Sequence, residues 1–546
     1  MLARPPRAPA RAVQTLVAPE TPDAAEVIAL ADSLLAHRFP LLGVTIETGQ
    51  EIDWRRDYLH KISTGTEYFR RVPYLDFARV GDHKVIWELN RHQHLVVLSQ
   101  AYLLSGRREY LNEIFRQLAG WMEANPFLRG INWASALEVA FRALSWAWLW
   151  TLVGAEMPPD LAGRFRDTLY RHGRFLQLNL SVYFSPNTHL LGEAVALYAL
   201  GVMFDQAGWR TAGARWTEDA MDRQVRDDGS HFEQSAYYHV YALDFFLLYR
   251  RISKPGAAYD SKLARMAVYL DALLGPSGVL PLIGDDDGGR LFHPYGDRTR
   301  FGQATLAQCA KLFPVPRLDE SRLFADAGTA VMMHDQSHIV IKAGPFGEGS
   351  GGHSHSDVLS LVVRIGDREI LIDPGTYTYL ADPAERDRFR SSAAHNTVRV
   401  GDREQAIPAG PFRWLEKPAV KIDRWESTAE RDFLDATCRY GAFAHRRRIA
   451  FLKREALLLV LDTVTGGAGE QFWHLGNEED ARRFSFVQPA EVIRTWRSRA
   501  LCSKEPATAL KLPAGAAVID LAPNPKTGPL HLQGDQITWF GRTYEL

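Results

Sequence analysis

The chain has 546 residues, 64 Lys plus Arg against 65 Asp plus Glu, and a formal net charge of -1. With 46% hydrophobic and 24% charged residues, it has globular composition and length for about two to four domains, which excludes a disordered or collagen-like chain. A general nucleic-acid binder would be basic, so an acidic ligand must meet a local basic site here rather than the whole surface.

The Arg/Pro-rich start has no apolar h-region and does not read as a secretory signal. Residues 1–22 are read as a flexible segment. The three cysteines are too scattered for a disulfide framework or a thiolate zinc cluster. No run of about 18 uncharged apolar residues occurs, so no transmembrane helix is expected. The richest stretch, 134–153, is interrupted by Glu138 and Arg142.

From residue 23 the pattern is helical. Apolar residues recur at helical spacing over 23–37, 85–105, 109–125, 133–152, 161–178, 189–207, 212–226, 232–252, 259–274 and 302–312. Gly and Pro punctuate the gaps, and short links predict antiparallel helix pairs that curl into an open toroid. After about residue 325 the period changes to two. "HIVIK" (338–342), "LSLVVR" (359–364) and "TVRV" (397–400) alternate, and "GDRE" follows the last two at 366–369 and 401–404. Gly-Asp between apolar runs predicts hairpins. The fold class is therefore α+β multidomain: a helical domain over 23–318, then an antiparallel β-sandwich over 319–546.

Four segments carry chemistry. "GGHSHSD" (351–357) alternates His353, His355 and Asp357, which on a strand would share one face. Asp373 follows in "LIDPGTYTY" and His395 in "SSAAHNTV", so imidazoles and a carboxylate on neighbouring strands make a zinc site plausible. "SPNTHLLGE" (185–193) places Asn187 where it can cap a helix, with His189 and Glu193 on one face. Asn187 and His189 could donate hydrogen bonds to a substrate carboxylate.

"DDGSHFEQSAYYHVYALD" (227–244) clusters Glu233, Gln234, Tyr237, Tyr238 and Tyr241. Tyr241 and Phe245 suit a core stripe, while Tyr238 is left to reach a cleft, where a nearby cation would tune its phenol toward neutral pH. Arginine binds carboxylates in a forked geometry, which makes Arg91, Arg142 and Arg390 candidates for an acidic polymer, with Trp133 as a sugar platform. Glu193, Gln234 and Tyr377 complete the substrate-binding set. Asp285 in "IGDDDGG" could serve a glycosidase but reads first as a turn.

Together "NTHLLGE", "EQSAYYH", "GHSHSD…LIDPGTYTY" and "FRSSAAHNTV" resemble the heparinase II/III-like polysaccharide lyases, in order and spacing, from about residue 50 to 480. The resemblance implies an N-terminal incomplete (α/α) toroid over 23–318 followed by an antiparallel β-sandwich, and β-elimination of a uronate-containing polysaccharide. It implies catalytic roles for His189, Tyr238 and His353, and Zn²⁺ held by His355, Asp373 and His395. Thr188 departs from the Asn-Asn-His of many relatives; Asn187 would then act from one position earlier, or His189 alone. Relatives are often exported, so the absence of a leader leaves the compartment open. A toroidal glycoside hydrolase and a non-catalytic polysaccharide-binding protein are the alternative readings.

Overall fold

The computed structural model describes residues 24–546 apart from 184, 293, 296 and 297. The expected flexible segment 1–22 lies outside the described residues. Apart from two short antiparallel pairs, Arg38–Leu41 with Val44–Glu47 and Arg56–Asp57 with Ile62–Ser63, helices come first and the large antiparallel sheets second, as the change of period predicts. No described helix is long and apolar enough to cross a membrane.

Local signals explain where the helices start and stop. Asp82 accepts from the Lys84 N–H and Asn187 from the His189 N–H, each capping the helix that follows. Pro159 opens Pro159–Asn179 from the first turn. Gly106, left-handed at φ 71, closes Gln93–Ser105. The single helix expected over 85–105 is in fact His83–Asn90 and Gln93–Ser105, parted at His92, whose φ is 58. Ala136–Val153 packs against both Pro159–Asn179 and Thr188–Met203, and it is buried almost all round.

The second half contains a nine-stranded and a six-stranded sheet, and every named strand pair in them is antiparallel. Met332, Ile339, Ile341 and Leu361 of the larger sheet meet Leu434, Ala436, Ile449 and Val460 of the smaller in one core. The opposite face of the smaller sheet, with Phe433, Leu459 and Val518, is covered by Leu530, Ile537 and Trp539 of a C-terminal three-stranded sheet. A strand buried on both faces needs no polar alternation, which accounts for the apolar run of Leu457–Thr465.

Gly366, at φ 55, turns the chain between Ser360–Ile365 and Arg368–Leu371. The second "GDRE" forms only a bridge between Val400 and Arg403, not a hairpin of two strands.

The chain divides into two compact units, and the division is not a single cut near 318. One unit holds residues up to Gln224, Tyr241–Leu263 and Gly288–Arg298. The other holds Val225–Val240, Ala264–Asp287 and Thr299–Leu546. Segments read from sequence as purely helical-domain material thus belong with the sandwich, and they carry Tyr238 and Asp285.

Candidate active site

In the sandwich-bearing unit, Tyr238 sits in the first turn of Ala236–Ile252. Ser235 fixes that turn. Its hydroxyl accepts from the Tyr238 N–H at 3.2 Å and donates to the Asp285 carbonyl at 2.6 Å. Gln234 just before it is left-handed at φ 57, a conformation that persists only where the surroundings enforce it. Its side chain donates to the Ala327 carbonyl at 3.1 Å.

The Tyr238 ring lies on the His353 ring with centroids 3.8 Å apart and planes 21° apart. Its hydroxyl is 3.5 Å from that of Tyr379. Burial and the negative charge of Asp287 push the Tyr238 phenol well above its ordinary value. The expected tuning toward neutral pH is therefore corrected: Tyr238 rests as a protonated donor. Tyr237 points elsewhere and donates to Asp287 at 2.7 Å. Tyr241 and Phe245 are fully buried, as expected of a core stripe.

His353, His355 and Asp357 lie in a loop ahead of the strand Ser360–Ile365, not on a strand. The expected shared face gives way to two partners, Lys342 for Asp357 and Asp285 for both histidines. Asp357 pairs with Lys342. His353 Nδ1 lies 3.1 Å from Asp285 Oδ2, and His355 Nε2 lies 2.9 Å from Asp285 Oδ1.

Asp285 is the residue whose importance the sequence concealed. It is fully buried, and the Arg386 guanidinium forks onto both of its oxygens, at 2.5 and 2.7 Å. Burial alone would raise the carboxyl, but Arg386 and the two histidines outweigh it and hold Asp285 well below the usual carboxylate range. Burial alone would lower His353; Asp285 and Glu233 outweigh it and raise the imidazole above its ordinary value. Gly284, at φ 72, permits this approach, since a Cβ there would meet Ser235 and the His353 carbonyl at 2.9 Å.

His355, Asp373 and His395 are buried, and each offers a ligand atom within 4.8 Å of the others. His355 Nδ1 and His395 Nε2 are buried without a hydrogen-bond partner. What sets these two nitrogens apart is that they converge with the Asp373 carboxylate, where a cation would satisfy all three. This donor set fits a bound metal ion. The neighbouring Asn396 ties the segments together: its Nδ2 donates to the Leu361 and Ile372 carbonyls, each at 2.8 Å. Arg447 Nη1 then donates to the Leu359 and Asn396 carbonyls at 2.7 and 2.6 Å.

Other expected residues are placed differently. Arg390, 1% exposed, binds Asp387 and the Gly410 and Pro411 carbonyls and lies over Trp414. Tyr377 is half-buried, with Lys504 Nζ 4.6 Å from its ring centroid.

In the helical unit, Arg91 is fully buried in a forked pair with Glu138 at 2.7 and 2.8 Å. Arg142 is fully buried against His172 and two tryptophans. Trp133, 1% exposed, packs against Phe127, His172 and Phe175. The expectation of polymer-binding arginines at 91, 142 and 390 and of a sugar platform at 133 is corrected, because these side chains are spent on the protein's own interior. Glu193 is also buried, accepting from the Ser181 N–H and hydroxyl at 2.7 and 2.6 Å; burial pushes its carboxyl up to about 8. Asn187 and His189 are half-buried at the helix start, beside a buried Thr188.

The model described as Heparinase II/III N-terminus matches residues 11–290, and that described as Heparinase II/III-like, C-terminal, matches 316–518. A heparin-sulfate lyase of Pedobacter heparinus is 23% identical over 513 residues, covering 86% of this chain and 71% of that protein. One of Bacteroides stercoris is 22% identical over 419 residues, covering 67% of this chain and 59% of that protein, which is less than two thirds of its length. A solved structure described as heparinase III shares the fold at a TM-score of 0.75 and 16% identity, over 99% of this chain and 93% of that one.

Proposed function

The chain belongs to the heparinase II/III-like family of polysaccharide lyases, and from that premise we propose that it cleaves a uronate-containing acidic polysaccharide by β-elimination, leaving a 4,5-unsaturated uronate. The observation that carries this reading is the stack of Tyr238 on His353, at 3.8 Å. It supplies a proton donor and a proton acceptor side by side.

The C5 proton of a uronate is weakly acidic, and its removal builds an enediolate-like dianion. His353 takes that proton on Nε2, the nitrogen that does not face Asp285. The C5–H pair becomes the C4=C5 bond, and the C4–O bond breaks. Tyr238 gives its hydroxyl proton to the departing oxygen. An alkoxide is a stronger base than a phenolate, so a phenol kept protonated by burial remains an effective donor. Return of the proton from His353 to Tyr238 resets the pair.

The metal proposed for His355, Asp373 and His395 is zinc, which takes nitrogen and oxygen ligands in sites of this kind. Bound there, it would fix the loop carrying His353.

The test is a panel of uronate polysaccharides read by ultraviolet absorbance. An absorbing unsaturated product supports the lyase. New reducing ends without absorbance mean a hydrolase, and polymer binding with neither means a binding protein.

A further inference from the structure

Asp285 has no step of its own in this chemistry, yet it touches both histidines on which the chemistry depends. An ionised carboxylate accepts hydrogen bonds and cannot donate them. Each ring nitrogen facing it therefore carries the hydrogen, and the hydrogen bond made by one nitrogen of an imidazole decides the state of the other. The facing nitrogen is Nδ1 in His353 and Nε2 in His355.

We propose that Asp285 is a positioning residue that sets opposite tautomers in two histidines only two positions apart. In neutral His353 the hydrogen sits on Nδ1, 3.1 Å from Asp285, and the lone pair is on Nε2, whose nearest carboxylate, Glu233, lies at 3.7 Å, beyond hydrogen-bond reach. In His355 the hydrogen sits on Nε2 and the Nδ1 lone pair is presented to the metal. The His353 half rests on the lyase reading; the His355 half does not.

The carboxylate is held so that it cannot exchange these roles. Arg386 spans both oxygens, and the Thr376 hydroxyl lies 3.4 Å from Oδ1. The Asp285 backbone is pinned as well. Its N–H donates to the His353 carbonyl at 2.9 Å, and its carbonyl accepts from Ser235 at 2.6 Å. An asparagine offers one acceptor oxygen and one donor amide group where two histidines, two Arg386 N–H groups and the Thr376 hydroxyl converge. At least one histidine must then turn its hydrogen to the other nitrogen, which disables either the base or the ligand.

The experiment uses full-length protein labelled with ¹⁵N-histidine, with ring signals assigned through His353→Ala and His355→Ala. The parent is expected to show Nδ1–H at His353 and Nε2–H at His355. Two variants follow: Asp285→Asn, and Asp285→Asn with Arg386→Gln, which avoids stranding a buried guanidinium. At least one histidine should change its tautomer in each folded variant. Inversion at His353 should lower kcat by about 10²–10⁴-fold with KM changed by less than about threefold. Inversion at His355 should weaken zinc affinity, measured by chelator competition, by about 10–100-fold.

Either of two results overturns the proposal: neutral His353 of the parent, observed above the pH at which its imidazolium loses a proton, carrying its hydrogen on Nε2, or a folded double variant with parental tautomers, kcat and zinc affinity. Failure of the lyase reading looks different. No polymer then yields an absorbing product with the parent, while the nitrogen spectra and zinc affinities still test Asp285. If the single variant does not fold, the parent spectra and the double variant still decide.

Discussion

Arg142 donates its Nε–H to Nε2 of His172 at 2.9 Å, and the guanidinium carbon lies 4.4 Å from the centroid of Trp121. Its Nη2 donates to the Asn132 carbonyl at 2.9 Å. Burial lowers the guanidinium to about 9, the mark of a cation spent on packing rather than on an outside ligand. Arg142→Ala should therefore cost about 2–5 kcal/mol of stability, as truncation of a large buried side chain does. KM should match the parent across ionic strength. Urea unfolding and steady-state kinetics on the folded protein check this; a salt-dependent rise in KM at full stability would return Arg142 to the substrate.

Tyr238→Phe deletes one hydroxyl and keeps the ring on His353. Turnover should fall by about 10²–10⁴-fold, with the unfolding midpoint close to the parent's. Tyr237→Phe removes a hydrogen bond to Asp287 and should cost about 1 kcal/mol of stability with little loss of turnover. Parallel assays of the two variants on one polymer separate the roles, and the reverse pattern would move the proton to Tyr237.

Protein purified without chelator should carry one zinc per chain by elemental analysis. His395→Ala should lose it. Extended dialysis against a chelator should lower activity and the unfolding midpoint together, because the ligands also anchor the loop ahead of Ser360–Ile365. Unchanged activity in metal-free protein would reduce the cluster to an internal hydrogen-bonded group.

His94 gives the fold an acid sensitivity. Burial lowers its imidazole to about 4, from about 6.5 in the unfolded chain. Between those values the unfolded chain binds a proton that the folded chain refuses. Stability is therefore full above pH 6.5 and falls as pH drops to about 4, by about 3 kcal/mol for this residue. His94→Gln can still bond Gln117, the present partner at 2.8 Å. Its stability relative to the parent should rise as pH falls through that window, measured by denaturant unfolding at a series of pH values. A constant offset would assign the acid sensitivity elsewhere.

The order of helices and sheets was legible because period and turn residues are local properties. Motifs in the sequence single out Tyr238, His353, His355, Asp373 and His395, and the structure brings Tyr238 onto His353 and gathers the other three. Asp285 was not legible, since a glycine-flanked acidic triplet has the composition of a turn. Its partners stand 68, 70 and 101 residues away, and no local pattern reports such contacts. Alternation in 353–357 suggested a strand, but a loop can alternate polar residues just as well. Trp133, Arg91 and Arg142 were misread for a related reason. The helix Ala136–Val153 is buried nearly all round, so no period distinguishes an outward face, and arginine chemistry does not say whether its acceptor is a ligand or a backbone carbonyl.

The grouping of Val225–Val240 and Ala264–Asp287 with the sandwich bears on how such proteins can be inherited. A gene fragment beginning at residue 316, where the C-terminal family match begins, encodes His353, His355, Asp373, Arg386 and His395. It lacks Tyr238 and Asp285. Transferred alone by recombination, it would arrive with the His355, Asp373 and His395 cluster but without Tyr238, and with Arg386 stripped of its counter-charge. Ancestral exchange at that junction would be purged, so the two parts of the gene should travel together.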